Sequence, residues 1–308
     1  MEKDPKRVEK IQETMKKITI TEKGKTCELI IFEKYEHTYP KNEFKRISKL
    51  IDFRKIDRNG FDIRSKIHSG FILGDWIKGY FQYKMNSNNR LGIDSNKIER
   101  LVKHIYKKYN SLFLCDFMRI FFYPWETEHK KSDMGGVAAF SPFKNTMHLW
   151  INPKNSKWRN LAKETIFHEQ SHAYLYNHNK IYLNWTQNLN LCNWMISEGL
   201  AENYAKSVTG GIVWKGKFKN KWFGFTKKEC QDIFKNLGQK IKISEDKDWS
   251  EMESIMFGGR NYKRLTGYAI GYWIVSDYMT KNNVDIKSVH HKSFDEILKG
   301  SEWLNLIK

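Results

Sequence analysis

The chain of 308 residues has little cysteine for its length. Its four cysteines, Cys27, Cys115, Cys192 and Cys230, are far apart, and no two of them form a Cys-x-x-Cys pair. This spacing excludes a zinc site built from cysteine pairs, and it does not suggest a disulfide framework. We therefore expect free cysteines that are buried as small apolar side chains.

The sequence also lacks a long apolar run, an internal repeat and a low-complexity segment. It has only five prolines and no Ser/Gly-rich run, which argues against a long flexible linker. Residues 1 to 8 are charged, unlike the start of a signal peptide. We expect a cytoplasmic protein with no membrane span. The sequence does not indicate an oligomeric state.

The chain has few acidic residues relative to basic ones: it contains 35 Asp and Glu residues and 54 Lys and Arg residues, for a net charge of +19. A strongly basic protein can attract nucleic acid, anionic membranes or acidic substrates. Here the excess is mostly lysine spread along the whole chain, and no DNA- or RNA-binding motif accompanies it. No specific nucleic-acid partner is therefore expected. A nucleic-acid-associated protein is a rival interpretation, which steeply salt-dependent binding to DNA or RNA would support.

One stretch carries recognisable chemistry: residues 168 to 172 read His-Glu-Gln-Ser-His. No proline or glycine occurs from residue 154 to residue 179, so the pattern lies inside a predicted helix. Positions four apart share a helix face, which aims His168 and His172 at one point. Two neutral imidazoles suit zinc, and Glu169 beside them suits a general base acting on a zinc-activated water.

A second stretch offers a third ligand. Residues 197 to 202 read Ser-Glu-Gly-Leu-Ala-Glu, which places Glu198 and Glu202 on one face of a second predicted helix. Alone, the two carboxylates would indicate a solvated helix face. Beside two histidines, Glu198 completes the three protein ligands of a catalytic zinc site. Glu202 can then hold the non-ligating nitrogen of a zinc histidine, and Gly199 allows two helices to approach closely.

The two stretches together resemble the gluzincin metallopeptidases, and more narrowly the YjaZ-like family of predicted zinc-dependent proteases. Residues 265 to 278, with a Gly-Tyr-x-x-Gly segment, and the acidic-apolar residues 294 to 301 add to the resemblance. The resemblance implies a zincin-like fold, zinc as the cofactor and a peptidase reaction, but no particular substrate. It implies zinc ligands His168, His172 and Glu198, Glu169 as general base, and Glu202 behind the ligands.

The downstream tyrosine of many gluzincins stabilises the oxyanion, and by analogy Tyr268 is our candidate here. Tyr262, Tyr272 and Arg260 are close to it in the sequence and stay open as alternatives for the same role.

We predict an α+β fold that is mostly helical, with a small mixed sheet next to the His-Glu-x-x-His helix. A metallopeptidase domain is predicted over residues 111–308, preceded by an N-terminal α/β lobe over residues 1–110. Alternating and apolar patterns predict strands at 26–33, 117–123 and 146–152, and helices at 95–109, 226–237 and 263–279.

Three finer predictions concern single segments. Residues 1–18 are expected to form a charged helix or arm, and residues 240–262 to be irregular. Residues 146–152 are expected to be the sheet-edge strand that binds an extended substrate by backbone pairing. His148 on that strand has no ligand spacing and is interpreted as a strand histidine.

The predicted function is hydrolysis of peptide bonds in a peptide or protein substrate by a zinc metallopeptidase. The alternative is a zinc-binding regulatory or interaction protein on the same scaffold, without efficient proteolysis. A hydrolase of non-peptide amides is a variant of the first interpretation. The sequence does not separate endopeptidase from exopeptidase activity.

Overall fold

Within the described residues, the strands form one mixed sheet and the longest helices carry the candidate site. The computed structural model describes residues 15–33, 92–124, 136–143, 145–178, 190–210, 224–259 and 261–307. The chain divides into two units, Met1–Thr165 and Ile166–Lys308, which we call the sheet unit and the helical unit. The division falls within one long helix. The predicted α+β class is confirmed.

The described part of the sheet unit contains five strands in the order β1-β2-β3-β5-β4. These strands are β1 (Met15–Glu22), β2 (Lys25–Phe32), β3 (Phe117–Pro124), β4 (Val137–Phe143) and β5 (Thr146–Ile151). β2, β3 and β5 run parallel, while β1 and β4 pair antiparallel to their neighbours. The β1–β2 connection has positive φ at Lys23 and Gly24, as a two-residue hairpin turn requires.

Helix α1 (Ser95–Tyr109) belongs to the sheet unit and matches the predicted helix. Asp94 caps it by accepting hydrogen bonds from the backbone N–H groups of Asn96 and Lys97. Its buried side chains, which include Ile98 and Val102, repeat at helical spacing. The same face reaches β1 through Lys16, whose ammonium lies 3.2 Å from Glu99.

The helical unit is built on α2 (Trp158–His178), which begins in the sheet unit, and α3 (Leu191–Thr209). It continues with α4 (Lys227–Leu237), α5 (Glu245–Phe257), α6 (Thr266–Asn282), α7 (Ile286–Val289) and α8 (Phe294–Gly300). A capping box of Thr226 and Glu229 begins α4. Within the described ranges, no helix combines the length and hydropathy needed to cross a lipid bilayer.

Helices α3 and α6 cross at two glycines. A Cβ atom on Gly199 would lie 2.1 Å from the carbonyl oxygen of Gly271, and one on Gly271 would lie 1.7 Å from that of Met195. The side-chain amide of Asn203 donates to the carbonyls of Gly199 and Tyr272 and so ties the two helices together. The close approach expected from the glycines is confirmed.

Three expectations differ from the structure. Residues 15–18 lie in β1, because Ile18 and Ile20 alternate as in a strand, and the rest of the predicted N-terminal helix or arm lies outside the described residues. Residues 245–257 form α5 and are not irregular. β5 is not an edge strand, because it pairs with both β3 and β4, and among the described strands the edges are β1 and β4.

Candidate metal centre

Helix α2 presents two imidazoles to the same point. His168 and His172 are one turn apart on it, and their Nε2 atoms lie 3.2 Å from each other. Both side chains are largely buried, with His172 at 7% exposure. The rest of this helix face, with Phe167, Ala173 and Leu175, is fully buried and fixes the helix in the unit. The sequence motif therefore becomes one pair of adjacent nitrogen donors.

Helix α3 supplies an oxygen donor to the same point. Glu198 Oε2 lies 3.2 Å from His168 Nε2 and 3.4 Å from His172 Nε2. The adjacent Gly199 lets α6 pass directly behind this turn of α3. The three residues that the sequence analysis assigned as ligands are thus brought together.

The three donors fit a zinc ion. Nitrogen and oxygen donors bind zinc at about 2.0 to 2.1 Å in a tetrahedral array, which places any two donors about 3.3 to 3.4 Å apart. The three measured donor distances, 3.2, 3.2 and 3.4 Å, are close to these values. Glu198 Oε2 is buried and faces the Nε2 atoms of both histidines. A cation between these three atoms would balance the charge of the buried carboxylate.

Helix α3 also holds the far side of each imidazole. Glu202 Oε1 lies 3.1 Å from His168 Nδ1, as the sequence analysis expected. Ser197 Oγ lies 3.3 Å from His172 Nδ1. With Nδ1–H donating to these oxygens, both Nε2 lone pairs face the shared point. Ser197 was not predicted from the sequence, although it directly precedes Glu198 and lies on the same helical turn.

Two further side chains steady the ligands and were also missed. The indole of Trp194, one turn before Glu198, donates to Glu198 Oε1 at 3.3 Å. Ser171, next to His172, lies 2.7 Å from Nε2 of the buried His290, whose Nδ1 donates to the Ile286 carbonyl. This second contact fastens α2 to α7. The Ser171–His290 contact joins distant segments and has no local sequence signal, whereas Trp194 lies four residues before Glu198 and could have been found from that spacing.

The charges in the site shift the pKa of its groups in opposite directions. Burial alone would lower the pKa of His168, but hydrogen bonds and charge from Glu198 and Glu202 outweigh it and raise the pKa to about 10. Burial alone would raise the pKa of Glu198, but the charge of His172 and hydrogen bonds from both histidines hold it well below its ordinary value. The site is therefore one electrostatic unit of cationic and anionic groups, whose protons a bound metal would displace.

Glu169 and Tyr268 lie beside the ligands. Glu169 is buried at 6% exposure on the same turn of α2 as His168. Tyr268, in the first turn of α6, hydrogen-bonds Glu198. Burial first, then the charges of Glu198, Glu202 and Glu169, raise the pKa of Tyr268 well above its ordinary value. The phenol therefore stays protonated and can act as a hydrogen-bond donor.

The two other tyrosine candidates for the oxyanion role have contacts with other residues. The phenol of Tyr272 accepts a hydrogen bond from the Lys206 ammonium, which also lies 5.0 Å from the Tyr272 ring centre. Tyr262 pairs through its backbone with Gly259 in a tight turn. Arg260 lies outside the described residues. Of the candidates that the structure describes, Tyr268 is the one hydrogen-bonded to Glu198.

The chain is 23% identical over 162 residues to the uncharacterized protein YjfC of Bacillus subtilis (strain 168). That alignment covers 49% of this chain and 50% of the relative, so the chain spans about half the length of the curated protein that it matches. No solved structure matches the chain significantly.

A family model matches residues 98–299, which include every residue of the candidate centre. The matched range covers more than half of the chain. It also includes β3, β4 and β5 of the sheet unit and the helices that carry the donors. The chain therefore belongs to the family described as "Predicted Zn-dependent protease (DUF2268)".

Proposed function

We propose that the chain is a zinc metallopeptidase that hydrolyses peptide bonds in peptide or protein substrates, with Glu169 as the general base. The observation that carries this proposal is the triangle of two histidine nitrogens and one buried carboxylate oxygen, with edges of 3.2 to 3.4 Å. Its edges match those between ligands of a tetrahedral zinc ion. Membership of a family of predicted Zn-dependent proteases supports the same reaction class.

The residues that would hold zinc are His168, His172 and Glu198. A zinc ion bound there supplies a Lewis acid that polarises a carbonyl group and acidifies water. Glu202 and Ser197 hold the two imidazoles in the tautomer that leaves Nε2 free for a cation. With three protein ligands, such a site keeps one position open for water or substrate, as catalytic zinc sites do.

Glu169 is the proposed proton carrier. Its carboxylate accepts a proton from the water that attacks the peptide carbonyl, and then delivers that proton to the leaving amine. Its position beside His168 supports this role, because a carboxylate one residue from a ligand stays within reach of the reacting atoms. Its charge also reaches Tyr268, whose pKa it helps to raise.

Tyr268 is the proposed donor to the oxygen on which negative charge develops. Its raised pKa supports the role, since a protonated phenol donates a hydrogen bond at neutral pH. The engagement of Tyr272 with Lys206 favours Tyr268 over that alternative.

We also propose that the chain is related to the gluzincins and, more narrowly, to the YjaZ-like proteases. Two histidines on one helix and a glutamate on the next, followed by a tyrosine helix, are the features in which the chain resembles gluzincins and the YjaZ-like proteases. A zincin-like fold and a metallopeptidase domain that begins near residue 111 follow from the same resemblance.

Hydrolysis of a mixed peptide library tests the proposal. The wild-type protein loaded with zinc is expected to cleave peptides, and Glu169→Gln is expected to lower kcat by roughly 100-fold or more while keeping zinc, because the proton carrier is lost. Glu253→Gln, an exposed glutamate of α5, is the matched control and should keep full activity.

Equal rates for wild type and Glu169→Gln would contradict the general-base role. A protein that binds zinc and cleaves no peptide would support the alternative of a regulatory protein on this scaffold.

A further inference from the structure

Four aromatic rings from α3, α5 and α6 form a continuous group, which we call the aromatic cluster. It consists of Trp194, Trp249, Phe257 and Tyr268. Trp194 stacks on Trp249 at 5.3 Å between ring centres and meets Phe257 edge-on at 5.5 Å. Phe257 lies 5.9 Å from Tyr268. Every ring therefore touches at least one other ring at the distances of favourable aromatic pairs.

The backbone around the cluster is shaped to bring these rings together. Helix α5 is interrupted at Asp248, whose φ is −156°, and the Asp248 carboxylate accepts from the Glu251 backbone at 2.9 Å. Trp249 therefore begins a new helical segment. After Phe257, Gly258 has a φ of 97°, and a Cβ there would lie 2.5 Å from the Arg264 Cα. This tight turn leads from Phe257 to Tyr268.

The cluster is joined to the candidate metal centre at two points. The Trp194 indole donates to Glu198 Oε1 at 3.3 Å, and the Tyr268 phenol hydrogen-bonds the same carboxylate. Both polar groups of these rings are thus directed toward Glu198. Trp194 and Tyr268 therefore contact the rest of the cluster through apolar ring surface.

The cluster is not simply part of the core. Trp194 is 6% exposed, but Trp249, Phe257 and Tyr268 all remain partly exposed. Large apolar rings that stay partly open beside convergent polar groups are the usual lining of a ligand site. Rings with a packing role alone would gain more stability from full burial.

We infer that Trp249 and Phe257 form a subsite that binds a large apolar or aromatic side chain of the peptide substrate, next to the bond that is cleaved. This inference rests on the proposed function. The centre of the Phe257 ring lies 5.9 Å from that of Tyr268, which hydrogen-bonds the candidate ligand Glu198. An extended peptide rises about 3.3 Å per residue. The side chain bound there therefore belongs to a residue within about two positions of the cleaved bond.

The chemistry of the subsite selects its occupant. A charged side chain would lose its hydration against ring faces, which offer it no hydrogen bond in return. A phenylalanine or leucine side chain would bury apolar surface there, and an aromatic ring could add to the existing stack.

Paired peptide substrates test the subsite. The two peptides of a pair differ only by phenylalanine or alanine at one position, and the pairs together cover the two positions on each side of the cleaved bond. Wild type is expected to prefer phenylalanine in kcat/KM by about tenfold or more at one flanking position. Trp249→Ala and Phe257→Ala should each reduce this ratio to a few-fold while the zinc content is kept, and Trp249→Phe should retain it.

The matched control is Trp273→Ala, which removes a partly exposed tryptophan of α6 that packs on Tyr272. It should keep the wild-type ratio. Because Glu169→Gln is expected to bind without turnover, its dissociation constants for the same peptide pair give a second reading of the preference.

The possible failures can be told apart. If wild type cleaves both peptides of each pair equally, or if Trp249→Ala and Phe257→Ala keep the full preference, the subsite is overturned and the peptidase proposal stands. If the zinc-loaded protein cleaves no peptide, the proposed function is overturned and the subsite with it.

Discussion

The sheet unit and the helical unit each bury a histidine, and the two histidines have opposite electrostatic surroundings. His148 in β5 is 3% exposed and stacks at 4.6 Å on Phe121. Its Nδ1 lies 2.9 Å from the Tyr123 hydroxyl. Burial lowers the pKa of His148 to about 3, so its ring is neutral.

His168 in α2 is surrounded by carboxylates. Glu198 lies 3.2 Å from its Nε2 and Glu202 lies 3.1 Å from its Nδ1, and the pKa is raised to about 10 despite burial. Burial alone therefore does not distinguish a structural histidine from a candidate ligand. The carboxylates on both ring nitrogens make the difference, because they favour a cation at that point, whether a proton or a metal ion.

The largest expected difference between His168 and His148 is their response to the removal and addition of zinc. A chelator is expected to abolish peptide hydrolysis, and added zinc to restore it, because the Lewis acid is lost and regained. Imidazole NMR signals of His168 and His172 should shift on zinc addition, while those of His148 stay in place. A zinc-induced shift at His148 alone would contradict zinc binding at His168 and His172. Unchanged activity after complete metal removal would contradict a role of zinc in the reaction.

The buried neutral ring of His148 should make stability depend on pH. Its folded pKa of about 3 lies below the unfolded value of roughly 6.5, so the folded state binds fewer protons between these values. Its contribution is fully present above about pH 6.5 and is lost as the pH falls toward 3, by on the order of 5 kcal/mol in total.

Urea unfolding of His148→Gln at several pH values measures this contribution. Below pH 6.5, the free energy of unfolding should fall less steeply with decreasing pH in the variant than in the wild type. The difference in slope should correspond to at most one proton taken up on unfolding. The matched control is His104→Gln on the exposed face of α1, which should keep the wild-type slope. Identical slopes for His148→Gln and wild type would mean that this ring is not held neutral by the fold.

Removal of the carboxylate behind His168 should weaken zinc binding without abolishing it. Glu202→Gln is expected to raise the zinc dissociation constant by about 10- to 100-fold, because His168 Nδ1 loses its charged acceptor. In the sheet unit, Tyr123→Phe removes the corresponding partner of His148 and should leave zinc affinity unchanged. A competition titration with a chromophoric chelator measures both, and equal affinities for the two variants would contradict this assignment.

Ser197→Ala should have the smallest effect in this series. Its hydroxyl is neutral and lies 3.3 Å from His172 Nδ1, whereas Glu202 offers a charge at 3.1 Å. We expect a loss of zinc affinity smaller than that of Glu202→Gln in the same titration. A larger loss would show that His172 depends more on its partner than His168 does.

The candidate centre could be predicted from the sequence because its spacing is local. Four-residue intervals on helices determine which side chains share a face, and this is enough to choose His168, His172, Glu198 and Glu202. Ser197 was missed because its contact with His172 depends on how α3 meets α2, which local periodicity does not contain. Trp194 lies four residues before Glu198 on α3, and this spacing could have identified it.

The fold was less predictable where pairing is non-local. The residues of β5 are patterned as a strand, but its position between β3 and β4 depends on strands elsewhere in the chain. Helix α5 was missed because the non-helical backbone at Asp248 splits its apolar pattern. β1 was missed because its two isoleucines follow a charged segment with helix-like spacing.

The most direct test of the central claim is the zinc content of purified protein, measured by elemental analysis for wild type, His172→Ala, Glu198→Ala and His148→Ala. We predict about one zinc per chain in wild type and His148→Ala, and loss of zinc in His172→Ala and Glu198→Ala, because three protein ligands hold a catalytic zinc. Stoichiometric zinc in both ligand variants, or none in the wild type after zinc is offered, would contradict the account.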